Sequence, residues 1–422
     1  MKGVAGEAVS FSGSVSAGGR ALARGLERAF GVVQDGVAAG HYPGAVAVIA
    51  GADGSIEQKA FGRAMVVPVE RPMTLDTLFD LGSLTKAVTT LTAILILAGR
   101  GIVGLDDPVG EYFPEWRQSE RDEALKRRGT LAHLLTHTAG LPAWRPLYLY
   151  TRTPEEMVRA VCQTRLVNEP GQRVLYSDLG FVLLGEVVRR ATSLRLDVFA
   201  EQELFRPLKM LDTAFSRGFR ASSSGQGPGD RGRVDLVDPA RCAATEEGNL
   251  TEQSMAGAEG ERFTGWRTGI TCGQANDGNC YYGMGGVSGH AGLFSTGRDL
   301  AAFCAMWLNH GAGPKGPILS PALVETATRD WTGQLGTSRG LGWVKPPASL
   351  RSGDEAGPFS GGDFLSPRAF GHVGFTGTSV WIDPEYGLAM ILLTNRLHPR
   401  SQAGIIYTRP KFHNAVLGAL RP

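Results

Sequence analysis

Ser83 and Lys86, three positions apart in "LFDLGSLTKAVTTLTAILILAG", are the first residues here whose types and spacing suit nucleophilic chemistry. The apolar residues of this stretch recur with helical spacing, so we predict a helix with Ser83 and Lys86 on one face. A serine hydroxyl becomes a good nucleophile when a neighbouring base takes its proton. A lysine amine can be that base if burial and nearby positive charge lower its pKa. The alternative is a capping serine followed by a solvated lysine, because serine is favoured at helix N-termini.

A second group that can handle protons lies in "PGQRVLYSDLGFVLLGEVV", where Tyr176 and Asp178 precede a predicted helix. We interpret Tyr176 as a general base or acid. Free tyrosine has a pKa of about 10, so this role near neutral pH requires Lys86 to stabilise the phenolate. The alternative is structural, with Asp178 as the N-cap and Tyr176 packed beside it.

The third candidate segment is "FGHVGFTGTS", in which glycines flank His372 on a predicted strand. Glycines at such positions allow a ligand to approach the backbone closely. A backbone N–H of this stretch could complete an oxyanion site with the N–H of Ser83, which lies at a helix N-terminus. The alternative is a glycine-rich strand edge with a packed histidine.

These three segments, in this order, resemble the Ser-x-x-Lys, Tyr-x-[Asn/Asp] and [Lys/His]-x-Gly motifs of the serine β-lactamase and penicillin-binding-protein superfamily. The resemblance is greatest to the branch around class C β-lactamases, which includes family VIII carboxylesterases and D-amino-acid peptidases. It extends from about Leu22 to the C-terminus and includes "TLAHLLTHTAGLP" and "GMGGVSGHAGLFSTGRDL". It implies a β-lactamase/transpeptidase-like α/β (α+β) fold, in which helices flank an antiparallel sheet and an all-helical insertion is added.

The resemblance also implies roles for individual residues. Ser83 would form the acyl-enzyme, and Lys86 and Tyr176 would share the general base and acid work. The backbone N–H groups of Ser83 and Phe375, next to Gly374, would bind the oxyanion. Asp178 would occupy the position at which an asparagine often orients the substrate and the lysine.

Two departures from the family pattern bear on the substrate. His372 replaces the lysine of a β-lactamase, and Val373 replaces its hydroxyl residue; those two groups bind the substrate's carboxylate. A neutral imidazole and a valine should bind a carboxylate less well, and Asp178 adds negative charge nearby. We therefore predict weak or no β-lactamase activity and a carboxylesterase acting on small or medium acyl esters. The alternatives are a D-amino-acid peptidase of the penicillin-binding carboxypeptidase type and a sensor that is acylated without turnover.

The order of elements predicts an α/β sandwich built from both ends of the chain. We assign residues 20–104 and 290–422 to this sandwich, 105–289 to a mainly helical insertion and 1–19 to a flexible tail. Residues 216–290, rich in Gly, Ser and Asp, are predicted to wall the substrate pocket. The predicted elements comprise a helix at Leu22–Ala39, two strands about the Asp-Gly turn of "GAVAVIAGADGSIEQKAFGRA", a helix in "RDLAAFCAMWLNHG", and two strands joined by the Asp-Pro turn of "GHVGFTGTSVWIDPEYGLAMILLTNR".

Two further patterns are weaker. Ser338 lies in "GTSRG", a G-x-S-x-G match, but this elbow requires a strand before it and a helix after it, and polar "DWTGQL" and "LGWVKPP" flank it instead. His133 and His137, four apart on a predicted helix, could share a metal, but no zincin glutamate accompanies them, so we predict packing or capping. No metal or cofactor is implied.

The whole chain limits the class of partner. Lys+Arg 43 against Asp+Glu 41 gives +2, and no basic run interleaved with aromatics occurs, so nucleic acid is not expected. No apolar run is long enough for a membrane span, and residues 1–19 lack a signal-type apolar region, which favours the cytoplasm unless a leader was removed. The five cysteines indicate no zinc site; a Cys272–Cys280 disulfide would require export. The expected partner is a small ester or amide, and the oligomeric state is left open.

Overall fold

The computed structural model describes residues 17–118, 122–216, 237–347 and 359–420. Most of the predicted tail therefore lies outside the described residues. The strands are β1 Gly44–Gly51, β2 Ile56–Met65, β3 Arg71–Pro72, β4 Phe79–Asp80, β5 Ala214–Phe215, β6 Leu293–Ser295, β7 Ala312–Gly313, β8 Gly316–Pro317, β9 Phe370–Val373, β10 Ser379–Asp383 and β11 Leu388–Thr394.

The α-helices are α1 Ala17–Ala38, α2 Thr92–Gly99, α3 Val109–Tyr112, α4 Glu123–Lys126, α5 Leu131–Leu135, α6 Pro154–Gln163, α7 Asp178–Thr192, α8 Leu196–Ala200, α9 Leu250–Ala256, α10 Gly297–Leu308, α11 Pro321–Thr328 and α12 Ile405–Leu420. Short 3-10 helices at Pro114–Gln118, Leu147–Leu149, Pro239–Arg241, Gly257–Gly260 and Gly333–Leu335 and π-helical turns at Lys86–Leu91, Glu201–Phe205 and Asn279–Gly283 complete the helical segments. None of the described helices combines the length and apolarity needed to cross a bilayer.

The main sheet joins the two ends of the chain. Its strands run in the order β3-β2-β1-β11-β10-β9, and every pairing is antiparallel. The predicted hairpin is confirmed, because β1 and β2 pair across a turn in which Gly54 has a φ of +83°. The expectation of two C-terminal strands was incomplete: β10 and β11 meet at the Asp-Pro turn, and "FGHV" adds β9 as a third strand before them.

Alternation along β1 explains how the sheet is covered on both faces. Val46 and Val48 belong to a core cluster that includes residues of α10, whereas Ala45, Ala47 and Ile49 belong to a second cluster with α1 and α12. Successive strand residues point to opposite faces, so an entirely apolar strand is the pattern expected of a sheet buried on both sides. The sheet flanked by helices confirms the predicted fold class.

A small second sheet, β4-β6-β5, brings together segments that are far apart in the sequence. Phe79 pairs with Ser295 and Asp80 with Phe294. Ser83 follows β4 by three residues and His290 precedes β6 by three, so the pairing brings the His290 segment close to the turn that carries Ser83 and Lys86. Helix α7, which begins at Asp178, packs against the turn that carries Lys86. The predicted domain boundaries stay a prediction.

The segment after Ser83 differs from the regular helix predicted for it. Lys86–Leu91 forms a π-helical turn, and α2 then continues to Gly99. Every residue from Lys86 to Leu97 is buried, so this segment has no solvated face. π-Turns within helices are frequent at functional sites.

Candidate active site

Ser83 and Lys86 are held together by a tight turn. The N–H of Gly82, whose φ is +52°, donates to Asp80 Oδ1 at 2.8 Å. Lys86 has no exposed side-chain surface, and its Nζ lies 2.8 Å from Ser83 Oγ. The alternative of a capping serine followed by a solvated lysine is therefore wrong. A buried ammonium requires partners, so the other contacts of Lys86 decide whether its amine is charged.

Two oxygens complete the surroundings of Lys86. Asp178 Oδ1 lies 2.7 Å from Nζ, and Nζ donates to the main-chain oxygen of His290 at 3.1 Å. Burial by itself disfavours the charged amine, but the Asp178 carboxylate, together with the neighbouring Tyr176, outweighs it and raises the pKa of Lys86. The condition for base catalysis, a lowered pKa, is therefore not met in the resting site, in which Lys86 is an ammonium paired with Asp178.

Tyr176 covers this pair. The Lys86 Nζ lies 5.0 Å from the centre of the Tyr176 ring, and the ring packs on His137 with centroids 4.5 Å apart. Burial raises the pKa of Tyr176, although the charge of Lys86 opposes this rise. At rest the hydroxyl is therefore neutral, and the phenolate that a general base would require is not present. Its position over Lys86 still allows it to donate or relay a proton.

His372 lies on β9, 6.0 Å from Tyr176 between ring centroids. Its Nδ1 lies 2.8 Å from Val373 O, which assigns the proton to Nδ1, while Nε2 is buried without a partner among the described residues. Burial, followed by the charges of Lys86 and Arg339, lowers the pKa of His372 to about 3. The side chain at this position is thus a neutral hydrogen-bond acceptor.

We expect the stabilising effect of His372 to depend on pH. Because its pKa is depressed in the folded protein, only the unfolded chain gains this proton as the pH falls from about 6.5 toward 3. The difference in free energy of unfolding between wild type and His372→Asn should shrink by about 2 kcal/mol from pH 7.5 to pH 5. Urea unfolding at both pH values measures it; a difference that stays constant would show that the pKa of His372 is not lowered in the fold.

The turn after β9 is attached to the turn that carries Ser83. Thr376 Oγ1 donates to Asp80 O at 2.7 Å, and Thr378 Oγ1 donates to Leu81 O at 2.9 Å. A Cβ on Gly374 would lie 2.1 Å from Thr378 Oγ1 and 2.3 Å from Leu81 O, so this close approach requires glycine.

The two predicted oxyanion donors lie close together as a result. A Cβ built on Gly82 would be 3.3 Å from the Phe375 nitrogen, which places that nitrogen beside the nucleophile turn. Within the described part of the chain, the backbone N–H groups of Ser83 and Phe375 donate to no protein acceptor. Two unpaired N–H groups next to a serine can stabilise a developing oxyanion.

A buried side-chain network behind Lys86 was missed by the sequence analysis. His290 Nε2 lies 2.8 Å from Asp277 Oδ1, and His290 Nδ1 lies 2.7 Å from Ser288 Oγ. His290 is 1% exposed and Ser288 is 2% exposed, so this second Ser-His-Asp set has no access to a substrate. It fixes the His290 carbonyl that accepts from Lys86. "GVSGHAGLFS" could have drawn attention to His290, but nothing in the sequence pointed to Asp277.

Asp277→Asn should therefore reduce turnover by displacing Lys86. We expect kcat to fall roughly tenfold while KM changes little, because small misplacements of a catalytic group act on the transition state. The exposed carboxylate variant Asp330→Asn is the matched control. Steady-state kinetics across pH separates a role in positioning Lys86 from a purely structural role. If Asp277 were purely structural, the variant would contain less folded enzyme, but kcat per folded molecule and its pH profile would be unchanged.

Other contacts also went unrecognised. Asp80 accepts from Asn276 N at 2.7 Å, and burial raises its pKa to about 6. The Arg339 guanidinium lies 5.6 Å from the Tyr176 ring centre, so "GTSRG" contributes to the site through its arginine. Its serine does not contribute, because the Ser338 hydroxyl donates to Asp330 at 3.2 Å and no helix follows to form an elbow.

The two remaining expectations concern histidine and cysteine. His133 forms a capping box with Thr130, as capping predicts, whereas His137 lies beyond the end of α5 and packs on Tyr176, so the pair does not share one helix. Among the described residues, no His, Cys, Asp and Glu group is arranged to hold a metal. Cys272 and Cys280 are free thiols, so the disulfide considered for an exported protein is not formed.

The geometry therefore unites Ser83, Lys86, Tyr176, Asp178 and His372 at one point. The sequence model of the family described as Beta-lactamase matches residues 30–409. The chain belongs to the beta-lactamase family. The chemical roles of the individual residues stay predictions.

Two curated relatives and one solved structure illustrate the range of this family. The chain is 32% identical to an N-acetylmuramyl-L-alanine amidase of Bacillus subtilis over 391 residues, covering 87% of this chain and 80% of that one. It is 31% identical to an Escherichia coli protein provisionally named D-alanyl-D-alanine carboxypeptidase over 363 residues, covering 81% and 76%. EstCE1, a hydrolase with promiscuous acyltransferase activity, shares the fold with a TM-score of 0.66 at 21% identity, covering 96% and 99%.

Proposed function

We propose that this serine hydrolase is a carboxylesterase that cleaves uncharged acyl esters through an acyl-enzyme at Ser83. The observation that carries the proposal is the neutral His372, next to Val373, where β-lactamases place a cation and a hydroxyl group. The anionic side chain of Asp178 lies 2.7 Å from Lys86, so the positive charge of Lys86 is already balanced. A substrate carboxylate would find little to compensate its desolvation at this point.

The proton must leave Ser83 as its oxygen attacks the acyl carbon. We propose that Lys86 passes a proton to Asp178 when substrate excludes water, because a dry site favours a neutral pair over an ion pair of poor solvation. The neutral amine then accepts the Ser83 proton, and the carbonyl oxygen becomes an oxyanion facing the N–H groups of Ser83 and Phe375. Tyr176 gives its proton to the departing alcohol and regains one from Lys86. Water repeats the sequence to release the acid.

Discrimination against a carboxylate tests this substrate class. We expect kcat/KM for the methyl-capped p-nitrophenyl glutarate diester to exceed that for the free hemi-acid by roughly tenfold or more. The double variant His372→Lys/Val373→Thr restores the cation and the hydroxyl group found in β-lactamases. It should bring the ratio of the two kcat/KM values closer to one. Penicillin-type substrates are measured in parallel, and a clear preference of the wild type for the β-lactam or for the hemi-acid would contradict the proposal.

Amide hydrolysis is the second candidate. It is supported by the curated relatives at 31–32% identity, whose names are those of an amidase and a carboxypeptidase. Incubation with N-acetylmuramyl-L-alanine and D-alanyl-D-alanine peptides, followed by detection of the released amine, separates the amidase from the esterase. Amine release that is faster than ester cleavage would favour the amidase.

A further inference from the structure

Arg409 on α12 is a buried cation that pairs with no anion of the described residues. Its side chain is nearly enclosed, with a residue exposure of 6%. Its Nη2 donates to the main-chain oxygens of Gly374, at 3.3 Å, and Thr378, at 3.0 Å. Among the described residues it has no carboxylate partner, and the charged group that acts on it is Arg396. Buried arginines are normally paired, because removing a lone charge from water is unfavourable.

Arg396 approaches the same turn from the other side. Its Nε donates to Phe375 O at 2.7 Å, and its guanidinium lies 4.9 Å from the centre of the Phe375 ring. The peptide groups before and after Phe375 are therefore each contacted by an arginine. Burial and the charge of Arg396 lower the pKa of Arg409 to about 9, which still leaves it protonated at neutral pH.

The contact to Gly374 O acts on a particular donor. The Gly374 carbonyl and the Phe375 N–H are the two ends of one planar peptide group. A cation on the carbonyl draws electron density toward the oxygen and makes the N–H at the opposite end a stronger donor. This N–H has no acceptor among the described residues, and it borders the turn that carries Ser83.

We propose that Arg409 is a positioning residue that polarises the Gly374–Phe375 peptide and so strengthens its N–H toward the oxyanion formed on attack by Ser83. At rest this charge has no counter-ion in the part of the chain that the structure describes. The tetrahedral intermediate supplies negative charge on the far side of the peptide, so the cost of burying Arg409 is recovered mainly in the transition state. The inference rests on the proposed acyl chemistry at Ser83.

A boronic acid tests the proposal without requiring turnover. Attack by Ser83 Oγ forms an oxygen–boron bond, the hydroxyl proton leaves to solvent, and the boron becomes a tetrahedral anion that occupies the oxyanion position. We compare the Kd of phenylboronic acid for the wild type, Arg409→Lys and Arg409→Gln. Lysine keeps the charge, whereas glutamine keeps a donor for the carbonyls and removes the charge. Thermal unfolding confirms that each variant is folded before its affinity is measured.

We expect Arg409→Gln to weaken boronate binding about tenfold and to lower kcat on esters by a similar factor, with Arg409→Lys much less affected. The Kd of an uncharged ester should be the same for Ser83→Ala and for the double variant Ser83→Ala/Arg409→Gln. If Gln and Lys lose affinity equally, or if neither does, the charge is not the cause and the proposal fails.

The proposed function is tested separately within the same experiment. Should the wild type bind the boronic acid no better than Ser83→Ala does, the acyl chemistry at Ser83 fails and this inference with it. Should the wild type bind it through Ser83 yet cleave no ester, the carboxylesterase assignment fails while the comparison of Arg409 variants stands. If both Arg409 variants prove unfolded, Arg396→Gln takes their place, because it removes the neighbouring cation from Phe375 O. We expect this variant to weaken boronate binding by at least about threefold. Unchanged binding would contradict the role of charge at this turn.

Discussion

Replacing Ser83 by alanine should abolish ester hydrolysis, with kcat/KM reduced roughly 10⁴-fold or more. Ser83 is the hydroxyl that Lys86 Nζ contacts at 2.8 Å, and the unpaired N–H groups of Ser83 and Phe375 lie beside it. Loss of one small side chain leaves the surrounding backbone contacts in place, so the variant should remain folded. Hydrolysis of a short-chain p-nitrophenyl ester is the measurement.

The matched control for this variant is Ser338→Ala. Ser338 lies in the G-x-S-x-G pattern, but its hydroxyl contacts Asp330 on the surface, and we expect wild-type rates. Equal activity of wild type and Ser83→Ala would reject Ser83 as the nucleophile. Loss of activity in Ser338→Ala alone would move the nucleophile to the pattern that the structure disfavours.

Lys86→Met should lower kcat/KM roughly 10³-fold, because the flexible apolar chain fills the space of lysine but neither accepts nor donates a proton. It also leaves Asp178 without its cation, which should reduce stability. The double variant Lys86→Met/Asp178→Asn separates these effects: we expect it to regain thermal stability and to stay inactive. If the double variant recovered more than about a tenth of the wild-type rate, the acid–base role of Lys86 would be wrong.

Local patterns were sufficient to predict the sheet. The β1–β2 hairpin depends on alternation and on an Asp-Gly turn, both of which are encoded within some twenty residues. A strand was predicted around His372, but its separation from β10 was not, because β9 has only four residues and glycines interrupt this segment. The π-turn at Lys86–Leu91 was also missed, since the apolar spacing fits a regular helix equally well.

The electrostatics of the site depended on contacts that the sequence does not encode locally. Spacing brought Ser83 and Lys86 together, but the paired charge of Asp178 and the enclosure of Tyr176 arise from packing between α7 and the nucleophile turn. The resting protonation states therefore could not be predicted from the spacing of the motifs. Asp277 lies in an irregular segment and Arg409 lies on the C-terminal helix, both far from any motif in the sequence. Only the tertiary structure relates them to the site.

Trapping the covalent intermediate tests the central claim most directly. The protein is mixed with excess p-nitrophenyl ester, quenched in acid during turnover, digested and analysed by mass spectrometry. We predict that the peptide containing Ser83 gains the mass of the acyl group, that fragmentation assigns it to Ser83, and that Ser83→Ala carries none. An acyl group on another residue, or hydrolysis with no covalent adduct at any time point, would contradict an acyl-enzyme at Ser83.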